Sequence, residues 1–201
     1  YRGGQKARAP MMLAIGTNND GQVSRRAVRA WANRVVDPVR AYAARFHGVR
    51  VAGADDIEPG FTGGVSASRA WLRGYLSATR ATFVFNGSAD GCPTGVGSRC
   101  NNGWTVRDLH FLSGGAAPTQ IISLPQIYNT AMPLQWRVIS AVGAHKVRFG
   151  GPLTEYTACR QARSCSSASN LSAWSMLFHA LAQRPRTAQR AMPYGTDLRI
   201  N

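Results

Sequence analysis

Acidic residues are scarce in this chain: nine in 201 residues, against 24 basic ones. Lysine is scarcer still, found only at Lys6 and Lys146, so the net charge of +15 is almost wholly arginine. No apolar run reaches the ~18 residues a membrane-crossing helix needs, and no membrane span is expected. No G-x-G-x-x-G or Walker-type loop follows a candidate strand, which argues against a nucleotide site. The four cysteines lack zinc-site spacing, and His47, His110, His145 and His179 are scattered, so neither a metal nor another cofactor is expected. The chain opens Tyr1-Arg2-Gly3-Gly4, with no Met and no visible signal peptide, which reads as a processed or partial product.

With so few acids, their placement is informative. Val49 to Phe61 starts as an apolar run of strand type and then delivers Asp55, Asp56 and Glu58 within four positions, before Pro59 and Gly60 stop regular structure. One third of the chain's carboxylates therefore sit where a strand opens into a loop, the place where α/β enzymes put their chemistry. The competing structural reading is that these acids cap the loop or pair with the abundant arginines.

The arginine excess favours polyanions such as nucleic acid, acidic wall polymers or anionic lipid surfaces. The arginines are scattered rather than striped with aromatics, however, so nucleic acid is the lesser reading. The cysteines form two close pairs, Cys92 with Cys100 and Cys159 with Cys165, each flanking a polar, loop-like interval. That pattern suits two local disulfides in a protein that is secreted or associated with the cell wall.

Along the chain, strand-like runs alternate with polar loops and helix-like stretches. Met11 to Thr17 reads as a buried strand; from Ser24, Val28, Trp31, Val35, Val39, Tyr42 and Phe46 recur at helical spacing, with Pro38 expected to kink or divide the helix. A second helix is expected from Ser66 or Ser68, a strand over Thr82 to Phe85, and a capping box at Thr105 and Asp108. Gln120 to Leu124 and Lys146 to Phe149 read as further strands, with a helix from Pro133 and a last one capped by Asn170.

Strand, loop and helix repeated about five times predict an α/β fold with a parallel sheet. Two architectures fit: part of a (β/α)₈ TIM barrel, or an open doubly wound sheet. The expected organisation is one domain over residues 1–183 and a basic C-terminal tail over 184–201. A full barrel typically takes ~250 residues. The barrel reading therefore leaves open sheet edges, to be completed by a partner chain or by a cleaved N-terminal segment pairing beside the first strand.

Asp56-Ile57-Glu58 at a strand end resembles the D-x-E ending of chitinase-type and lysozyme-type glycosidase barrels, and Pro125-Gln126-Ile127-Tyr128-Asn129 resembles a later strand of such barrels, whose Tyr lies beside the catalytic acid. Together with Phe-Asn-Gly-Ser-Ala-Asp-Gly-Cys at 85–92, these segments are similar to exported bacterial proteins with a glycosidase-like barrel. The positions two and five before Asp56, acidic in chitinases, are Ala54 and Val51 here. The resemblance implies a TIM barrel, hydrolysis of a polysaccharide or cell-wall polymer, and a site around Asp56, Glu58 and Tyr128.

The chemistry can also be reasoned from the residues. Glycoside hydrolysis uses two carboxyls, one protonated as acid and one ionised as nucleophile or base. Glu58 is the acid candidate: Ile57 and Pro59 limit its hydration, and Asp56 raises its proton affinity by like-charge repulsion. Glu155, the only other Glu, is the second carboxyl candidate, with Asp90 as its rival. Asn19, Asp55, Asn86, Asp90, Gln126 and Tyr128 follow strands and could contact substrate, and Trp104 and Trp136 could form stacking floors for sugar rings. A Ser88–His110–Asp108 triad is a weaker scheme, because its last two members lie two apart near a helix start. Two other functions stay open beside the hydrolase: a non-catalytic carbohydrate-binding or wall-binding barrel, and a basic polyanion-binding assembly protein.

Overall fold

A computed structural model gives the fold and describes residues 11–21, 24–163 and 167–200. Four strands form one parallel sheet in chain order: β1 (Met11–Asn18), β2 (Val49–Asp56), β3 (Thr82–Phe85) and β4 (Ile121–Ser123). The order never reverses among the described strands, so the sheet has no switch point of the doubly wound kind. Beyond β4, single bridges from Ser123 to Phe149 and from Gln126 to Leu153 lead to β5 (Leu153–Thr154), which pairs in parallel with β6 (Thr196–Asp197). The sheet is not closed: among the described residues no ladder joins β1 to β6.

Helices fill the connections. The first stretch is α1 (Arg25–Trp31), a π-helical turn (Ala32–Val36) and α2 (Asp37–Ala43). Ser24 caps α1 by accepting from the Ala27 amide at 3.1 Å. Pro38 does not end the helical run, which is divided into α1 and α2 by the π-helical turn just before it. In that wider turn the Asp37 amide donates to the Ala32 carbonyl five residues back, and the chain absorbs the missing proline N–H there.

Next come α3 (Val65–Ala78), α4 (Val106–His110), α5 (Ala131–Ala141), α6 (Tyr156–Ala162) and α7 (Asn170–Ala182). Gly64 precedes α3, and Ser68 lies wholly buried inside it, so neither Ser66 nor Ser68 opens that helix. Thr105 and Asp108 form the expected capping box at α4. Ser169, one residue before Asn170, caps α7.

The main core lies between the sheet and the helices. Phe83, Phe85 and Ile121 face outward from the strands and meet Leu72, Trp71, Tyr75, Trp136 and Phe149. Gly53 in β2 is a close-approach position: a Cβ there would stand 2.6 Å from the Tyr75 ring. Tyr75 accordingly presses on the strand, its hydroxyl accepting from the Gly53 amide and donating to the Thr82 carbonyl. The alternate residues Ala52, Ala54, Val84, Ile122 and Leu124 face the other way and form a smaller apolar layer with Met12 and Tyr194.

Two expectations need correction. Lys146 to Phe149 is not a strand: Val147 and Phe149 are anchored in the core, but only one bridge reaches β4, and regular pairing resumes at Leu153. Nor do residues 184–200 trail as a tail. They carry β6, bury Thr187 and Met192, and accept a hydrogen bond from the Trp174 indole at the Met192 carbonyl.

The Cys92–Cys100 disulfide is present, closing the loop after β3. Cys159 is disulfide-bonded, while its expected partner Cys165 lies outside the described residues.

Candidate functional site

Parallel strands in chain order bring their C-terminal ends to one face, and the acids gather there. β2 ends in Asp56, and Ile57, fully buried, anchors the turn that presents Glu58. Gly87, just past β3, permits the tight crossing beneath it, since a Cβ there would sit 1.9 Å from the Ile57 carbonyl oxygen. Gln126 follows β4, and its backbone amide donates to the Gly87 carbonyl at 3.1 Å.

Gln126 links the two acids. Its side-chain amide donates to Asp56 Oδ1 at 2.9 Å and also to Glu58 Oε1. Both carboxyls are pulled toward the protonated form. Burial is the main cause for each: it raises Asp56 to about 6 and Glu58 to about 7. Repulsion from Asp56 comes second for Glu58, and a hydrogen bond between the two carboxyls lowers Asp56 while raising Glu58. The pair thus tends toward one shared proton.

Three further expected residues join this centre. Tyr128 is half-buried; desolvation chiefly, then the charges of Glu155, Asp56, Glu58 and Asp90, pushes its phenol well above the ordinary value. Asp90 raises both acids of the pair, and its carboxylate lies against Gly60 in the loop that follows Glu58. Glu155 stands just before α6, and its charge is felt at Tyr128 but not at Asp56 or Glu58.

The other expected contacts sit elsewhere. Asn19 is wholly buried and works as a clamp on the acid loop. Its Oδ1 accepts from the Glu58 amide at 2.9 Å, and its Nδ2 donates to the carbonyls of Glu58 and Gly63 and to Ser68 Oγ. Asp55 is 1% exposed and accepts from Thr17 Oγ1 at 2.9 Å. Its second oxygen has no partner, and burial lifts its carboxyl to about 7.

Trp104 and Trp136 are core residues, so neither offers the stacking floor expected of it. Trp136 packs edge-on against Phe85 and Phe149. Asn86 lines the apolar inner cavity, with a buried Oδ1 that lacks a partner.

The triad scheme finds its acid and its base engaged elsewhere, while Ser88 is buried with no partner for its hydroxyl. Asp108 serves the Thr105 cap and pairs with Arg69 at 3.0 Å. The His110 ring meets the Ile139 carbonyl at 3.2 Å and fills the space against Gly115 and Gly143. Among the described residues no cluster of His, Cys, Asp or Glu could hold a metal ion, and no helix is long and apolar enough to cross a membrane.

What sequence reasoning missed is the role of Asn19 and the pair of hydrogen bonds from the Gln126 amide to Asp56 and Glu58. The polar loop after β1 was visible, but nothing in it signals whether an amide faces solvent or a neighbouring loop. Compared with protein-family models, curated proteins and solved structures, the chain has no match in any of the three.

Proposed function

We propose that this chain is a glycoside hydrolase-like protein of TIM-barrel type, exported, that cleaves a cell-wall or environmental polysaccharide by carboxylate acid/base catalysis. One observation carries the reading: two carboxyls at the end of β2, bridged by one Gln126 amide and both shifted upward, with a Tyr beside them. Glu58 donates the proton to the leaving oxygen, and ionised Asp56 holds it in place. Tyr128 orients the sugar or settles the developing positive charge, and Glu155 or Asp90 acts as nucleophile or base. The singly wound strand order supports the barrel, and the Cys92–Cys100 bridge is compatible with export.

The test is Glu58→Gln, assayed on a panel of wall and environmental polysaccharides beside the wild type. The variant keeps the side chain's volume and loses its proton, so hydrolysis falls by at least ~10²-fold while the fold persists. A variant that cleaves at the wild-type rate sinks the mechanism. A wild type that binds a polysaccharide without cleaving any leaves the non-catalytic barrel in its place.

A further inference from the structure

β1 is anomalous within its own sheet. Strands of parallel sheets are ordinarily covered on both faces, and β2, β3 and β4 are. β1, with the sequence Met-Met-Leu-Ala-Ile-Gly-Thr-Asn, is exposed on both: Met11 and Leu13 are each 47% accessible on one face, and Ala14 and Gly16 are exposed on the other. Its outer edge is also unpaired among the described residues. A long apolar edge strand left like this is a template for pairing.

The inner face tells how much is missing. One cavity of about 640 Å³ is lined by Met12 and Gly16 from β1 and also by Tyr194 and Thr196 beside and within β6. The sheet therefore curls until its first and last strands look across a single space. Six strands are in place among the described residues, and a closed barrel of parallel strands has about eight.

We propose that the open edge of β1 receives a further parallel βα unit of the same polypeptide, lying ahead of β1, whose helix presents an apolar stripe with an acidic rim. Strand order equals chain order throughout the sheet, and each crossover carries a helix, so the strand beside β1 is the one that precedes it. The charge of the rim follows from the helix layer at this edge. There Val35, Tyr42 and Phe46 are exposed among Arg25, Arg26, Arg29, Arg34 and Arg45, while Asp37, the one acid of the stretch, is already paired with Arg40. The inference rests on the barrel architecture proposed above and is independent of the glycosidase chemistry.

Hydrogen–deuterium exchange on the product of the whole reading frame, translated from its start codon, tests it without reference to activity. The β1 amides should exchange as slowly as those of β2, and Leu13→Lys should lower the unfolding midpoint as a buried substitution does. Three outcomes overturn the proposal. One is a β1 that exchanges more than ~10-fold faster than β2 in that product with a silent Leu13→Lys. Another is a reading frame with no coding ahead of Tyr1 for such a unit. The third is β1 protection that appears only with dimerisation in light scattering, which would make a second copy the occupant.

Discussion

Gln126 spends both amide protons on carboxyls, and that choice has a measurable sign. Its hydrogen bonds favour the charged forms of Asp56 and Glu58, opposing the burial that raises them. Gln126→Leu should therefore move both carboxyls further up, seen in a ¹³C carboxyl titration of the folded protein. Unmoved or lowered midpoints would mean that the amide does not hold the pair. Asp55, one residue from Asp56, turns to Thr17 instead, so its burial has a structural consequence and no part in the pair's geometry. The acid pair was legible in the sequence because the contrast was high: three of nine acids at one strand end in an arginine-rich chain. The tryptophans were not. An indole that stacks on sugar and one that fills a core have the same sequence signature, and here both Trp104 and Trp136 fill the core.

At the level of elements, the loop after β1 and the loop after β2 stand or fall together. Asn19 makes four hydrogen bonds to the Glu58–Ser68 stretch and is fully buried, so Asn19→Ala leaves several polar groups unsatisfied at once. The expected cost is about 2–4 kcal/mol in urea unfolding, with Glu58 released from its position. A loss below ~0.5 kcal/mol, within the range of an ordinary surface substitution, would show that the two loops are independent. The Cys92–Cys100 bridge is a second staple: replacing both with Ser should cost ~2–3 kcal/mol by the loop-closure account, and equal midpoints under oxidising and reducing conditions would deny it. Strands and caps with their own local signal, such as Thr82–Phe85 and the Thr105 box, were legible. The π-helical turn was not, because a proline inside a helical pattern carries no sign of whether the preceding turn can widen. β5 and β6, two residues each, are too short for periodicity to register at all.

For the molecule as a whole, the parallel α/β sheet could be read from alternation, but the curl that brings both edges to one cavity belongs to strand order, which only the structure supplies. The same whole-molecule view predicts an unusual pH profile. Asp55, Asp56 and Glu58 all have folded pKa values above their ordinary ones, at about 7, about 6 and about 7. The folded state therefore binds more protons than the unfolded one between roughly pH 4 and 7, and stability falls as pH rises through that window. Asp197 and Asp20 have the opposite sign, Asp197 lowered by Thr157 and Thr154 against a countervailing desolvation and Asp20 by Thr62, but their contributions are lost only in acid. His110, lowered chiefly by desolvation, also has the opposite sign and offsets part of the decline below its ordinary pKa. Below about pH 4 the remaining acids protonate, the positive charge climbs beyond +15, and repulsion takes over. Maximum stability is thus expected near pH 5. Asp55, the most buried, dominates the decline: about two units between pH 5 and its folded value, at about 1.36 kcal/mol each, give a loss on the order of 2–3 kcal/mol by pH 8. Asp56 and Glu58, half-buried, add less. Urea midpoints measured at pH 5 and pH 8 check this, and Asp55→Asn should flatten the difference by stabilising the protein at pH 8. A midpoint that is level or higher at pH 8 in the wild type would mean that Asp55 is ionised in the folded protein with a partner for its second oxygen.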